Sequence, residues 1–190
     1  MLPEKTTDRR IIKSHRDIRA ALVDLLHEKP YENITVQEIL NRALINRNTF
    51  YKYYSGKSAL AGAMIADFKR QYADLVRQRF SGHADLSTLL QLAPELFSQR
   101  KLLLALWKIE SKRHHLYADM FALIKQGFWQ QMQQKNPQYQ SDNAGYQAEL
   151  YATLALTSVR YYFERDLPLP VAQLSTIWRE MIDVADVQAA

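Results

Sequence analysis

Apolar positions recur at helical spacing through most of the chain. Ile11, Ile18, Ala21, Leu22, Leu25 and Leu26 mark one stripe over residues 10–28, which Lys29-Pro30 stops. Over residues 34–54 the pattern predicts two short helices joined by a turn. Thr35 is placed to N-cap the first, Glu38 completes a capping box, and Ile39, Leu40 and Ala43 fall on its apolar side. Leu44 and Ile45 make the turn. Asn46 then caps a second helix, in which Phe50 and Tyr54 share one face and Arg47, Asn48, Thr49 and Lys52 lie on others. Further helices are expected from residues 55–57 to about 80, then over 86–98, 100–111, 114–135, 144–166 and 171–187. The breaks between them fall at Ser81-Gly82-His83, at the loop 136–145, and at Leu167-Pro168-Leu169-Pro170. Only five glycines occur, and no alternating run of strand length appears. The fold class expected is therefore all-α: an N-terminal three-helix helix-turn-helix head over residues 1–56 and a C-terminal helical bundle body over 57–190.

The two short helices have a specific likeness. Thr35, Ile39, Ala43, Thr49, Tyr51, Tyr54 and Lys57 stand at the spacing of the N-terminal domain of the TetR/AcrR family of bacterial transcriptional regulators, which residues 10–65 resemble. Leu44 replaces the family's turn glycine, Asn46 its serine cap and Tyr53 its histidine. The form KPYENITV followed by INRNTFYKYY looks most like the DhaS-like subgroup. The resemblance implies that the second short helix reads DNA. Arginine can read guanine and asparagine adenine in the major groove, so Arg47, Asn48, Thr49 and Lys52 are the expected groove-facing set. Thr35, Asn46, Tyr51, Tyr53 and Lys57 complete the expected DNA-binding residues, with Thr35, Tyr51, Tyr53 and Lys57 assigned to phosphates.

Charge agrees with that placement. Residues 1–57 hold 11 Lys/Arg against 7 Asp/Glu and the remainder 14 against 13, so most of the net +5 sits around the head. A basic excess suits phosphate binding, although a solvated helical surface has the same composition. The absence of cysteine excludes disulfides and thiolate metal sites. Met1 to Lys13 is too polar for a signal peptide, and no apolar run approaches the roughly 18 residues of a membrane span. The expectation is a cytoplasmic protein without a membrane segment.

Catalytic and metal chemistry find no support. Gly56-Lys57-Ser58 resembles the end of a phosphate-binding loop, but Tyr51 occupies the place of the required first glycine. His114-His115, taken as neighbours on a helix, diverge by about 100 degrees and read as a surface pair rather than metal ligands. No catalytic set, cofactor or metal site is expected, and the chain is not read as an enzyme.

The body has two further features. The segment 148–159 is apolar almost all round, and Val171, Leu174, Ile177, Trp178, Met181, Ile182 and Ala185 form a stripe near the C-terminus. These two helices resemble the pair that makes a four-helix homodimer interface in the family, which would place Leu150, Leu154, Ala155, Ser158, Leu174, Ile177, Trp178 and Met181 at a twofold seam. An ordinary intramolecular core is the alternative. Among the body's aromatics, Trp107, Tyr117, Phe121 and Tyr151 are the candidates to line a small-molecule pocket, with core packing as the alternative. The resemblance implies such a pocket without identifying its effector. The expected function is a dimeric, sequence-specific regulator of transcription on double-stranded operator DNA, a ligand-responsive repressor of a near-palindromic operator. A coactivator or protein-interaction module of the same fold, dependent on a partner protein, is the rival reading.

Overall fold

Helix α1 occupies Glu4–Glu28 and begins earlier than the apolar stripe alone places it. The computed structural model describes residues 4–81, 86–111, 113–135 and 144–186, with side chains from residue 11 onward except at 86, 175, 179 and 181–186. After α1 come a 3₁₀ turn at Tyr31–Asn33, α2 (Val36–Ala43), α3 (Arg47–Tyr53) and α4 (Lys57–Arg79). Next are α5 (Leu86–Ser98), α6 (Arg100–Trp107), two short strands β1 (Glu110–Ser111) and β2 (His114–His115), α7 (Leu116–Lys135), α8 (Ala144–Glu164) and α9 (Val171–Asp186). The all-α class holds, and the helical breaks around Gly82-His83 and residues 136–143 lie outside the described residues.

The helix expected over 100–111 ends earlier, at Trp107. It closes after Trp107 with tight bonds from Lys108 N to Ala105 O and from Ile109 N to Leu106 O, both 3.1 Å. Ile109 is buried, and β1 pairs antiparallel with β2, Glu110 opposite His115 and Ser111 opposite His114. His114 and His115 are therefore strand residues, not neighbours on a helix. Two-residue strands are too short to leave an alternating signature.

The chain forms two compact units, Met1–Gln71 with Lys101–Met120, and Tyr72–Arg100 with Phe121–Ala190. The head expected over residues 1–56 falls inside the first. Its core takes Ile18, Leu22 and Leu26 from α1, Ile39 from α2, Phe50 from α3, Leu60 from α4 and Leu103 and Leu106 from α6, all fully buried. Two bonds to backbone carbonyls hold the same unit together, His27 Nε2 to Lys101 O and Lys108 Nζ to Leu26 O, each 3.0 Å.

The second unit packs α5 against α9 and buries a row of small and large residues along α8: Ala144, Ala148, Ala152, Leu156, Val159 and Phe163. Gly127 on α7 lies so close to Phe80 that a Cβ there would stand 2.4 Å from the ring, so any side chain would force the two segments apart. Lys125 reaches Glu149 at 2.7 Å and Arg100 pairs with Asp166.

Candidate nucleic-acid interface

Two caps set the ends of the short helices. Thr35 Oγ1 accepts from Glu38 N at 3.2 Å while Glu38 Oε2 accepts from Thr35 N at 2.9 Å, the reciprocal capping box anticipated for α2. Lys29 also pairs with this carboxylate. The bond from Lys29, followed by those from the Thr35 backbone and hydroxyl, holds the Glu38 carboxyl down at about 2. Asn46 Oδ1 accepts from Thr49 N at 2.7 Å and caps α3. Between the caps Leu44 takes the left-handed conformation, φ 54° and ψ 40°, with 91% of its surface exposed.

α3 is anchored from behind. Phe50 is fully buried and Tyr54 nearly so. The Tyr54 hydroxyl lies 2.8 Å from His15 Nδ1 and accepts from Arg19 Nε at 3.2 Å, and Arg19 pairs with Asp67 on α4 at 2.6 Å. Burial, then the charge of Arg19, pushes the His15 pKa down. This chain of contacts ties α1, the end of α3 and α4 into one frame. Opposite Phe50, the residues Arg47, Asn48, Tyr51 and Lys52 are exposed at i, i+1, i+4 and i+5, which places them on one contiguous strip of α3.

The other expected contacts are placed differently. Thr49 is half-buried, and Tyr53 is half-buried with its ring centroid 4.3 Å from that of His15. The hydroxyl of Thr35 and the carbonyl of Asn46 are engaged in their caps. Lys57 Nζ donates to Tyr31 O at 2.7 Å and Glu32 O at 3.2 Å and sits 4.3 Å above the Tyr31 ring, so two of its three N–H bonds brace the 3₁₀ turn. Burial lowers its pKa, against the opposing pull of Glu32. The expected DNA-binding set, which takes Thr35 but no residue from within α2, also leaves out Gln37. Its Oε1 accepts from Arg47 Nη2 at 3.2 Å and its Nε2 donates to Asn41 Oδ1 at 2.9 Å, giving a polar line across both short helices. Gln37 and Asn41, four apart on the polar side of α2, are the sequence signal for it.

The second unit holds a half-open cavity of about 110 Å³ whose wall includes Tyr72 and Arg79 of α4, Leu92 of α5, Tyr151 of α8 and Trp178 of α9. Tyr151 is thus at a cavity, stacked on Phe128 with centroids 4.6 Å apart. Trp107 and Tyr117 belong to the first unit, where their rings meet at 5.2 Å beside a separate surface hollow and Trp107 Nε1 donates to Met120 Sδ at 3.3 Å. Phe121 is half-buried on α7 and does not line the cavity. Of the residues expected at a seam, Ala155, Ser158, Leu174 and Trp178 line this cavity within the one chain. Leu150 and Ile177 remain exposed, at 42% and 41%, and Leu154 is half-buried. Met181 lies outside the residues whose side chains are described.

A helix pair capped at both N-termini, with the second helix braced from behind and polar on its open side, defines a helix-turn-helix DNA-binding head. Comparison with known proteins agrees. The family model "Bacterial regulatory proteins, tetR family" matches residues 18–64. The uncharacterised HTH-type transcriptional regulator YxbF of Bacillus subtilis (strain 168) is 35% identical over 74 residues, which cover 38% of this chain and 19% of that protein. The curated relatives are matched over 19% to 44% of their own length. Among solved structures, a γ-butyrolactone receptor (ArpA-like protein) superposes with a TM-score of 0.59 at 18% identity, covering 88% of this chain and 93% of that one. The dihydroxyacetone kinase operon activator DhaS does so at 0.54 and 18%, covering 92% and 97%. Residues 18–64 thus match the DNA-binding domain of the TetR family, and the superpositions show a shared fold over most of the chain. Among the described residues no helix is long and apolar enough to cross a membrane.

Proposed function

We propose that this protein is a sequence-specific transcriptional regulator: a cytoplasmic homodimer that represses from a near-palindromic operator and releases it when a small molecule occupies the body. Residues 1–56 act as the DNA-binding head and 57–190 as the sensing and dimerising body. The observation that carries the reading is the exposed strip Arg47, Asn48, Tyr51 and Lys52 on a helix immobilised by Phe50 and Tyr54. Arg47, Asn48 and Lys52 face the groove, where Arg47 and Asn48 supply the donors and acceptors that distinguish bases, and Tyr51 reaches a flanking phosphate. Thr35, Asn46, Thr49, Tyr53 and Lys57 set the register of this strip and contribute contacts at its margins. Exposed Leu150 and Ile177 on the last two helices supply apolar surface for pairing two chains.

The sensing half of the proposal is supported by the cavity of the second unit and by a structural neighbour whose name describes a receptor for a small lactone. A ligand lowers operator affinity only by binding the DNA-incompetent state more tightly. A coupling of about 1–3 kcal/mol corresponds to a 5- to 150-fold change, felt equally by ligand and operator.

The test is selection of bound fragments from genomic and random DNA at graded salt, using the full chain. The expected product is a pair of related half-sites centred about 34–36 Å apart or a multiple of it, bound about 10³-fold or more above random DNA. Equal retention of all sequences would refute autonomous sequence-specific binding and leave the partner-dependent reading.

A further inference from the structure

The cavity of the second unit has walls of leucine, isoleucine, valine and aromatic carbon, and among its lining residues Arg79 carries the only formal charge. Arg79 Nη2 donates to the Tyr151 hydroxyl at 3.2 Å, and the guanidinium carbon lies 5.3 Å from the Phe80 ring centroid. The Arg79 Nε is shut off from solvent and has no hydrogen-bond partner. Neighbouring Arg77 is different: its side chain is mostly exposed and pairs with Asp74. A guanidinium with one N–H satisfied by a neutral hydroxyl and another left buried is an unfinished electrostatic arrangement, since burial strengthens both the penalty for an unmatched donor and the reward for a matched one.

From this geometry we infer that the cavity takes a compact apolar monocarboxylate. Its carboxylate pairs with the Arg79 guanidinium where that lines the cavity, and accepts from the Tyr151 hydroxyl, which already accepts from Arg79 and so has its own hydrogen to donate. Its hydrocarbon body rests against Leu75, Leu92 and Trp178. The cavity's 110 Å³ holds roughly seven to eleven water-sized atoms, the size of benzoate, phenylacetate or octanoate. A neutral alcohol or amide of that size leaves Arg79 without a counter-charge, and a phosphate dianion carries more charge and hydration than one guanidinium and an apolar wall can replace. This assignment rests on the reading of the body as a small-molecule sensor and specifies the chemical class that it senses.

Calorimetric titration of the full chain at neutral pH with benzoate, phenylacetate and octanoate, against benzyl alcohol and benzamide, tests the inference. The acids are expected to bind at least tenfold more tightly than the neutral molecules. Arg79→Gln is expected to weaken the acids roughly tenfold to a hundredfold and to leave benzyl alcohol within threefold of its original affinity, while Arg77→Gln changes neither. Acids that bind no better than their neutral counterparts, or that do not bind at millimolar concentration, overturn the assignment. An Arg79→Gln protein that binds the acids as the parent does also overturns it. Should Arg79→Gln fail to fold, the acid-over-neutral preference of the unmodified chain decides alone. Operator affinity is measured separately. Acids that bind through Arg79 yet leave operator affinity unchanged sustain the site and refute the sensing role, whereas operator release by some other molecule, with no binding of the acids, refutes the site and sustains the sensing role.

Discussion

Replacing Leu44 by glycine should stabilise the protein. Leu44 adopts φ 54° and ψ 40° in the turn between α2 and α3, where its backbone N–H bonds to Asn41 O at 3.4 Å and Ile45 N bonds to Leu40 O at 3.1 Å. The left-handed conformation costs an L-residue about 1–2 kcal/mol because Cβ crowds the following carbonyl. Nothing returns that cost through burial, since 91% of the side chain is exposed. Glycine removes the crowding and gives back roughly 0.5–1 kcal/mol through the greater freedom of the unfolded chain. The balance is a gain of roughly 0.5–1 kcal/mol, or about 1–4 °C in Tm for a chain of this length. Leu44→Asn should gain by a smaller margin, and Leu44→Val should lose, because a β-branched residue tolerates positive φ worst. Thermal unfolding at fixed protein concentration, so that dimerisation does not shift the midpoint, reads all three. Operator affinity should stay within twofold throughout. A lower Tm for Leu44→Gly, or a higher one for Leu44→Val, would refute the strain argument. An unchanged fold with weakened operator binding would show instead that this leucine touches DNA.

Arg47→Ala and Asn48→Ala should each relax preference at one base pair by about 1–3 kcal/mol and leave the other positions alone, read by a scan of operator variants; uniform loss would remove them from the reading face. Glu38, whose folded pKa of about 2 lies below its ordinary value of 4.5, contributes stability that is present above the ordinary value and is lost as pH falls towards 2. Glu38→Gln should therefore flatten the stability profile between about pH 5 and pH 2 in an acid denaturation series, and an unaltered profile would count against the Lys29 and Thr35 contacts. Leu150→Glu and Ile177→Glu should shift sedimentation from dimer to folded monomer, whereas Leu174→Glu, which places a charge at a buried position in an apolar wall, should unfold the body. A folded dimer for both exposed variants would move the interface elsewhere.

What the sequence by itself determined was local. Caps act over three residues and helical stripes over seven or eight, so Thr35 with Glu38, Asn46 with Thr49, and the inward-facing Phe50 and Tyr54 were all legible without any knowledge of the distant chain. The order of helices was legible for the same reason, as was the DNA-binding family to which residues 18–64 match. Only the tertiary structure decided which apolar residues meet each other and which meet water. Residues 148–159 and the stripe from Val171 looked alike as core or as seam, because periodicity reports that a face is buried and not what buries it. Folding turned Ala155, Ser158, Leu174 and Trp178 onto a cavity and left Leu150 and Ile177 outside. Lys57 is equally plausible in sequence as a phosphate contact, yet the carbonyls that engage it belong to residues 25 and 26 positions earlier. The end of α6 depended on the burial of Ile109 and the pairing of Glu110 with His115, and Arg79 met the Tyr151 hydroxyl only because α8 brought it there from 72 residues away. These are contacts between distant segments, whose energies exceed local preference and leave no periodic trace in the chain.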